Sequence, residues 1–500
     1  MSTATHNGGT KHAGADEMTI GLVKNLVNGE FVDARLGMTL DVTDPATNGD
    51  IIGRVPSMGP EDLDEVFTAA AEGAKVWKKT GHLERGRILL NAASLIRQHS
   101  DELIATIVTE MGKTRAEATG EVGKSAEFFE YYGGLARLPF GEYLPDARPG
   151  TFASQIREPI GVVLLITPWN DPLLTPARKL APALLAGNAV VLKPASETPI
   201  IALKLAELLH QAGLPAGVLG TVTGRGADIG NKLTSHQELR AVSFTGSTEI
   251  GIQLQKELAG TGIRVQTEMG GKNAAVVLED ADLDAAVPTI IAGAFAQAGQ
   301  RCTATSRLIV QRSIETQVRS RLVDAVAELK VGNGNTPGAS LGPVVSKKAQ
   351  QQIQAHISAA IGQGAEVIAT APLDEGQRKT GAFVEPTLLG ISTDLDIWRD
   401  EVFGPVLAMT VVDTVEEAID AVNDSAYGLS SAVFTKDLGH AHAFINGVDT
   451  GQVSVNQPTT GWDIHHPFGG FKDSGSPFKE QGLEALSFYT RIKTAAIRTQ

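Results

Sequence analysis

A single cysteine occurs in the 500 residues, Cys302, in the stretch FAQAGQRCTATSRLIV. A lone cysteine is ordinarily a small apolar residue of the interior. This one follows Gln300 and Arg301 in a loop of small residues between helical and strand-like text, where a thiol is accessible and a nearby cation favours thiolate. A thiolate nucleophile also needs an oxyanion stabiliser and a base. Asn170, just past the apolar run GVVLLI, offers amide N–H donors. Glu268, in RVQTEMGGKN, follows another apolar run and precedes a glycine pair that lets backbone or ligand come close. It suits a base only where its surroundings raise its pKa, and by itself it reads equally as a capping or salt-bridged acid.

Directly after Asn170 stands an acid, Asp171, and seven residues later a base, Arg178, within LITPWNDPLLTPARKL. Charges in so apolar a stretch are costly unless paired. Seven residues are about two helical turns, which sets the two on a similar face if the helix starts early. Two readings are open: they pair with each other, or Arg178 is left for a substrate carboxylate while Asp171 meets a hydroxyl or a cation.

Evidence for a nucleotide is modest from the residues alone. No GxGxxG follows a strand; instead VSFTGSTEIG gives a strand, Gly246, Ser247 and a helix start, where backbone N–H groups and the helix dipole suit a phosphate. A plain βα turn with its cap accounts for the same text. GEVGKS and EMGKT lack the glycine a phosphate-binding loop needs, and belong to helices and turns. His440 and His442 of GHAHAF are expected on a helix surface, and no metal-ligand constellation is evident.

The elements that must position these residues alternate. Apolar runs at 161–166, 189–193, 219–223, 240–244 and 263–267 are separated by helical segments at about 175–186, 199–212, 226–234 and 248–260. That alternation predicts a parallel sheet with helices on both faces, a Rossmann-type α/β cofactor domain. Three helical stretches precede it, between 60 and 138. A second α/β series begins near 273, with a helix over 282–297 and a strand at SRLIVQR. The expected division is a disordered tail at 1–20, a cofactor-binding domain from 21–141 and 162–272, and a catalytic domain at 273–483. A β-hairpin at 142–161 with the terminal segment 484–500 makes an oligomerisation element, since exposed ribbons pair with other subunits.

Five hundred residues exceed one hydrophobic core, and 42% apolar with 20% charged residues is ordinary for a globular protein. A net charge of −14 argues against nucleic-acid or anionic-membrane partners. The N-terminal text lacks a signal-peptide core, no apolar run approaches a membrane span, and one cysteine excludes an intrachain disulfide. A reducing cytoplasm is expected.

In order along the chain stand TPWN (167–170), VVLKPASETP (190–199), FTGSTEIG (244–251), TEMGGKN (267–273), GQRC (299–302), DEVFGPV (400–406) and PFGGFKDSG (467–475). With these motifs the chain resembles the NAD(P)-dependent aldehyde dehydrogenase superfamily over nearly its whole length. In motif it is most similar to bacterial α-ketoglutarate semialdehyde and succinate-semialdehyde dehydrogenases. The resemblance implies Cys302 as nucleophile, Asn170 with the Cys302 amide as oxyanion hole, and Glu268 as base for the deacylating water. It implies Lys179 near the oxyanion site. Lys193 then meets the adenine ribose, Gly246 and Ser247 the pyrophosphate, and Glu401 with Phe403 the nicotinamide ribose. Thr167, Pro168, Trp169, Phe244, Met269, Gly270, Gly226 and Gly230 complete the cofactor site.

Oxidation of an aldehyde to a free acid follows, because CoA-acylating relatives generally lack the glutamate. Where NAD-preferring relatives carry an acid, this chain has Ser196, which leaves room for a 2′-phosphate, so NADP is expected to be accepted beside NAD. Arg178 matches an arginine that binds a distal carboxylate in semialdehyde dehydrogenases, whereas Asp171 stands where the family usually has an aromatic residue. Arg301, Thr303, Trp462, His465 and Phe468 are expected to line the substrate tunnel with Asp171 and Arg178. A short polar or carboxylate-bearing semialdehyde ranks first, and an aromatic or aliphatic aldehyde second. A cysteine esterase or thioesterase without redox chemistry is the alternative of another class. A homodimer or homotetramer is implied.

Overall fold

A computed structural model describes residues 20–138 and 140–498. The expected disordered tail falls almost entirely outside them. Residues 21–56 form short strands against the body, followed by helices α1 (Pro60–Lys79), α2 (His82–Gln98), α3 (Ser100–Met111) and α4 (Arg115–Gly134). The long helical stretch beginning near residue 85 is thus two helices, because His99 leaves helical geometry and ends one before the next begins. GEVGKS lies within α4, and EMGKT is the turn between α3 and α4, with Gly112 in the left-handed conformation.

The first large sheet runs in the order Leu219–Thr221, Ala189–Lys193, Val162–Ile166, Leu239–Thr245, Arg264–Glu268, all parallel. Strands buried on both faces need near-continuous apolar runs, as Val162–Ile166 and Ala189–Lys193 are, whereas the edge strand Arg264–Glu268 is polar and half-buried at its start. Helices α5 (Leu174–Leu185), α6 (Pro199–Gln211), α7 (Gly226–Thr234) and α8 (Thr248–Leu258) connect them. The chain order reverses between Val162–Ile166 and Leu239–Thr245. In open α/β sheets the crevice at the carboxyl ends of such a strand pair is where ligands sit. TPWN and TGS, the residues singled out above, leave those two ends.

The second sheet has seven strands in the order Glu366–Thr370, Thr387–Gly390, Val406–Val412, Thr305–Gln311, Asn273–Val277, Ser430–Phe434, Gln452–Val455, parallel except for the first pair. Helix α9 (Leu283–Phe295) precedes the cysteine loop. The helix expected over 282–297 therefore stops two residues early, because Gln297 and Ala298 turn left-handed to present Cys302. Strands Gly141–Leu144, Thr151–Pro159 and Thr490–Arg498 form a three-stranded antiparallel sheet, so the hairpin takes its third strand from the terminal segment. His440 and His442 lie on the helix Leu438–Gly447, with His442 exposed. Among the described residues no cluster of metal-ligating side chains occurs, and no helix is long and apolar enough to cross a membrane.

Candidate active site

The loop before Cys302 holds three consecutive residues with positive φ: Gln297 (54°), Ala298 (54°) and Gly299 (69°). A side chain at Gly299 would strike the carbonyl oxygen of Gly404, so glycine is required there. The other two carry a Cβ, and such conformations cost about 1–2 kcal/mol each unless the surroundings enforce them. The surroundings do. The N–H of Gln297 donates to Oε1 of Glu117 at 2.6 Å, and its Nε2 donates to Oδ1 of Asp171 at 2.9 Å. Nε of Arg301 donates to Oε1 of Gln297. Asn170 donates from Nδ2 to the carbonyl of Gln300 at 3.0 Å, and Asn273 donates to those of Cys302 and Ala304 at 2.8 and 2.9 Å. The backbone is pinned on both sides of the thiol.

Two cavities meet at Cys302. One, of about 240 Å³, lies at the crevice of the first sheet between Pro168, Trp169, Asn170, Gly246, Ser247, Met269, Gly270, Glu401 and Phe403. The other, of about 270 Å³, runs outward between one face of α4 and residues 460–481. Glu117, Gly120, Glu121, Lys124 and Phe128 contribute that face at helical spacing, opposite Arg301, Thr303, Trp462 and Phe468. Cys302, Asp171 and Arg178 border both cavities.

Asp171 and Arg178 do not pair with each other. The ammonium of the fully buried Lys113 meets Oδ1 of Asp171 at 2.6 Å and Oε2 of Glu121 at 2.5 Å. Glu121 spends its other oxygen on the N–H groups of Leu173 and Leu174, at the start of α5. Nε of Arg178 lies 3.0 Å from Oε2 of Glu480, out of hydrogen-bond alignment, and its guanidinium covers the Phe468 ring at 4.9 Å. Helix α5 begins only at Leu174, so Asp171 lies outside the helix that carries Arg178, and each charge meets a partner on another element. Burial would raise the Asp171 carboxyl, yet Lys113 and Arg301 hold it below the ordinary carboxylate range.

Burial pushes the Cys302 thiol up to about 12, with Arg178 the main opposing influence. Glu268 is buried at the end of its strand, and it accepts from Nε2 of Gln266 at 3.0 Å. Its second oxygen has no partner. Burial, seconded by the Glu480 charge, raises its carboxyl well above the usual value against Lys179 and Arg178. A carboxylate whose proton affinity is raised in this way is a stronger base than an ordinary one, as general-base chemistry requires.

On the first cavity's side, the buried Oγ1 of Thr167 has no hydrogen-bond partner, and Ser247 caps α8 without a side-chain bond. The first-turn amides of an 11-residue helix there are available to an anion. Phe244 lies beneath Gly246. Any side chain at Gly270 would run into the carboxylate of Glu401, whose Oε1 accepts from the Gly271 N–H at 2.8 Å. Trp169 and Phe403 meet edge to face at 5.4 Å, with Phe403 at φ 51°. Further along the sheet edge, Lys193 ends its strand, and Ser196 donates to the Gly224 carbonyl at 3.2 Å beside the open first turn of α7, which carries Gly226 and Gly230. These groups fit a dinucleotide laid across the carboxyl ends of the strands.

The model of the aldehyde dehydrogenase family matches residues 31–495. The chain belongs to the aldehyde dehydrogenase family. It is 38% identical to an alpha-ketoglutaric semialdehyde dehydrogenase of Bacillus subtilis over 95% of this chain and 98% of that protein. It is 38% identical to an NADP(+) succinate-semialdehyde dehydrogenase of Escherichia coli over 94% and 97%. The structure of betaine aldehyde dehydrogenase from Staphylococcus aureus in complex with NAD+ superposes with TM-score 0.92 and 34% identity, covering 95% of this chain and 94% of that one. Like them, the protein is an NAD(P)-dependent oxidoreductase of aldehydes.

Two residues expected at the aldehyde dehydrogenase centre lie elsewhere. Lys179 borders neither cavity; it is fully buried, ion-paired with Glu480 and bonded to Oγ of Ser243 at 2.8 Å. An ammonium with no access to water needs such partners, and the Lys179 charge also acts on Glu268. His465 is exposed, 3.5 Å from Asp463 and packed on His466, outside the tunnel lining. Sequence reasoning missed Lys113, Glu121, Asn273, Gln297 and Glu480. Lys113 stood in EMGKT, Asn273 in TEMGGKN and Gln297 four residues before Arg301. Glu480 is 301 positions from its partner Lys179, a separation at which no local pattern exists.

Proposed function

We propose that the enzyme oxidises a short semialdehyde carrying a distal carboxylate to the corresponding diacid, with NADP or NAD, through a thioester on Cys302. The supporting observation is a pair of cations on the wall of the outer cavity, whose acids Glu121 and Asp171 are paired with Lys113 and whose Glu117 accepts from backbone N–H groups. Lys124 and Arg301 both border it, and among the described residues neither forms an ion pair. Arg178, the arginine first suspected, is already engaged by Glu480. A carboxylate two or three carbons from the aldehyde would therefore meet Lys124 and Arg301, two cations in a partly enclosed space. The semialdehyde substrates of the relatives named above are of the same kind.

In this reading the Cys302 thiol gives its proton up to solvent and the thiolate sulfur adds to the aldehyde carbon, whose C=O π pair moves onto the oxygen. The second N–H of the Asn170 amide and the Cys302 backbone N–H cover the resulting alkoxide. NAD(P) bound at the sheet crevice supplies the acceptor for the hydride that leaves the aldehyde carbon. Glu268 then takes a proton from the water that cleaves the thioester, releasing acid and thiol. Lys193, Ser196, Gly226 and Gly230 lie where the adenosine half would extend. Ser196 brings no carboxylate to repel a 2′-phosphate, which supports use of NADP.

A panel of succinate semialdehyde, propanal, hexanal and benzaldehyde with both cofactors, followed by reduced-nicotinamide absorbance, tests this reading. Succinate semialdehyde is expected to have the highest kcat/KM, with useful turnover on NADP. Lys124→Met should raise its KM by about 10-fold, the scale of a lost charge-assisted contact, and leave propanal unchanged. Better turnover of hexanal and benzaldehyde would reverse the substrate assignment. Absence of any reduced cofactor would leave a cysteine esterase.

The division into a cofactor domain (21–141 and 162–272), a catalytic domain (273–483) and an oligomerisation element (142–161 and 484–500) belongs to the same proposal, as does a cytoplasmic setting. The three-stranded sheet carries Tyr143, Phe152, Ile156 and Ile497 exposed on one face, since Ser154 pairs with Tyr143 and Phe152 with Ile497. Exposed apolar faces of this kind mark association surfaces, and a second copy of the chain is the proposed occupant. Phe152→Lys with Ile497→Lys should lower the mass measured by light scattering to that of one chain. An unchanged mass would remove this sheet from the interface.

A further inference from the structure

We infer that Asp171 is a positioning residue: with its buried counter-ion Lys113 it clamps Gln297 and so holds Cys302 in attacking position. Asp171 stands at the crossing of three observations. Its Oδ1 receives both Lys113 Nζ at 2.6 Å and Gln297 Nε2 at 2.9 Å. Gln297 is the first of the left-handed residues before the nucleophile, and its other side-chain atom receives Arg301, the residue next to Cys302. Lys113 lies in the α3–α4 turn, fully buried, with Glu121 as its second anchor.

Each link has a physical reason. An amide side chain fixes a loop only when both ends are engaged, and Gln297 donates at one end and accepts at the other. Asp171 can serve as a rigid acceptor inside an apolar wall only if its charge is neutralised, which Lys113 does. Lys113 in turn is fixed by Glu121, whose other oxygen holds the start of α5. The loop of Cys302 is thereby tied to α4 and α5 through a continuous set of charge-assisted bonds. Left-handed backbone at Gln297 and Ala298 would relax once that tie is cut, moving the sulfur away from the carbonyl carbon. A displacement of about 1 Å at a reacting atom lowers rates on the order of 10²-fold.

Asp171→Ala, Asp171→Asn, Gln297→Ala and the Asp171→Ala/Gln297→Ala pair test this, each assayed with propanal and with succinate semialdehyde. Asp171→Ala and Gln297→Ala are expected to lower kcat about 10-fold or more for both aldehydes, with little change in KM and an unchanged ratio of kcat/KM between them. The double variant should fall no further than the worse single one, because both cut one linkage. Asp171→Asn, whose amide oxygen still accepts from Gln297, should recover most of the lost kcat. Three results overturn the inference: a change confined to the KM of one aldehyde, additive losses in the double variant, or an Asp171→Asn no better than Asp171→Ala while folded. The assignment of succinate semialdehyde as substrate stands or falls separately, since the propanal arm does not involve a distal carboxylate.

Discussion

Cys302→Ala is expected to lower kcat/KM for every aldehyde by about 10³-fold or more, while the variant folds normally. No second thiol exists in the chain to take over. Cys302 is only partly exposed, and the bonds that hold its loop run through the backbone and through Gln297, Asn170 and Asn273, none of which needs the sulfur. A circular-dichroism melt should therefore move little while activity vanishes. In the parent enzyme the same sulfur gives a pH signature. Burial pushes the thiol up to about 12, so at neutral pH the free enzyme keeps it protonated. Alkylation by iodoacetamide should accordingly accelerate steadily as pH rises from neutral into the alkaline range. Retention of dehydrogenase activity within 10-fold in Cys302→Ala would exclude the thioester route.

Glu268→Gln separates the two half-reactions. Only the second needs a base for water, so a burst of about one equivalent of reduced nicotinamide per subunit should persist, and steady turnover should fall by about 10²- to 10³-fold. The amide oxygen of glutamine can still accept from Gln266, so the local structure has no reason to change. Stability follows from the sign of the shift. The folded carboxyl binds its proton more tightly than the unfolded one, because burial and Glu480 disfavour its charge. Its contribution is therefore full at acid pH and declines as pH rises above the ordinary glutamate value. The glutamine variant escapes that decline and should melt no lower than the parent at neutral pH. Deacylation in the parent should rise with pH as Glu268 loses its proton, and that rise should be absent from the variant. Steady turnover preserved in Glu268→Gln, or a lost burst, would assign the residue another role.

Much of the first sheet was legible because its inner strands are buried on both faces and must be continuous apolar runs; Ala189–Lys193 and α7 fall where the text put them. The end of α9 was not, since Gln297 and Ala298 are ordinary helix-compatible residues whose left-handed geometry is enforced by Glu117, Asp171 and Arg301. Of the residues expected along the tunnel, Arg301, Thr303, Trp462 and Phe468 line the outer cavity, whereas His465 turned to the surface with Asp463.

Residue types and their order along the chain were enough to determine the family, the alternation of strands and helices, the sole nucleophile, and the anomaly of two charges after TPWN. Hydrophobic period and motif spacing are local properties, and a linear text carries them in full. The partners of those charges were decided only by the tertiary structure. Asp171 answers to Lys113, which precedes it by 58 positions, and Arg178 to Glu480 near the other end of the chain. A buried charge takes whichever opposite charge the fold brings within about 3 Å, and helical register sets only the candidates on its own element.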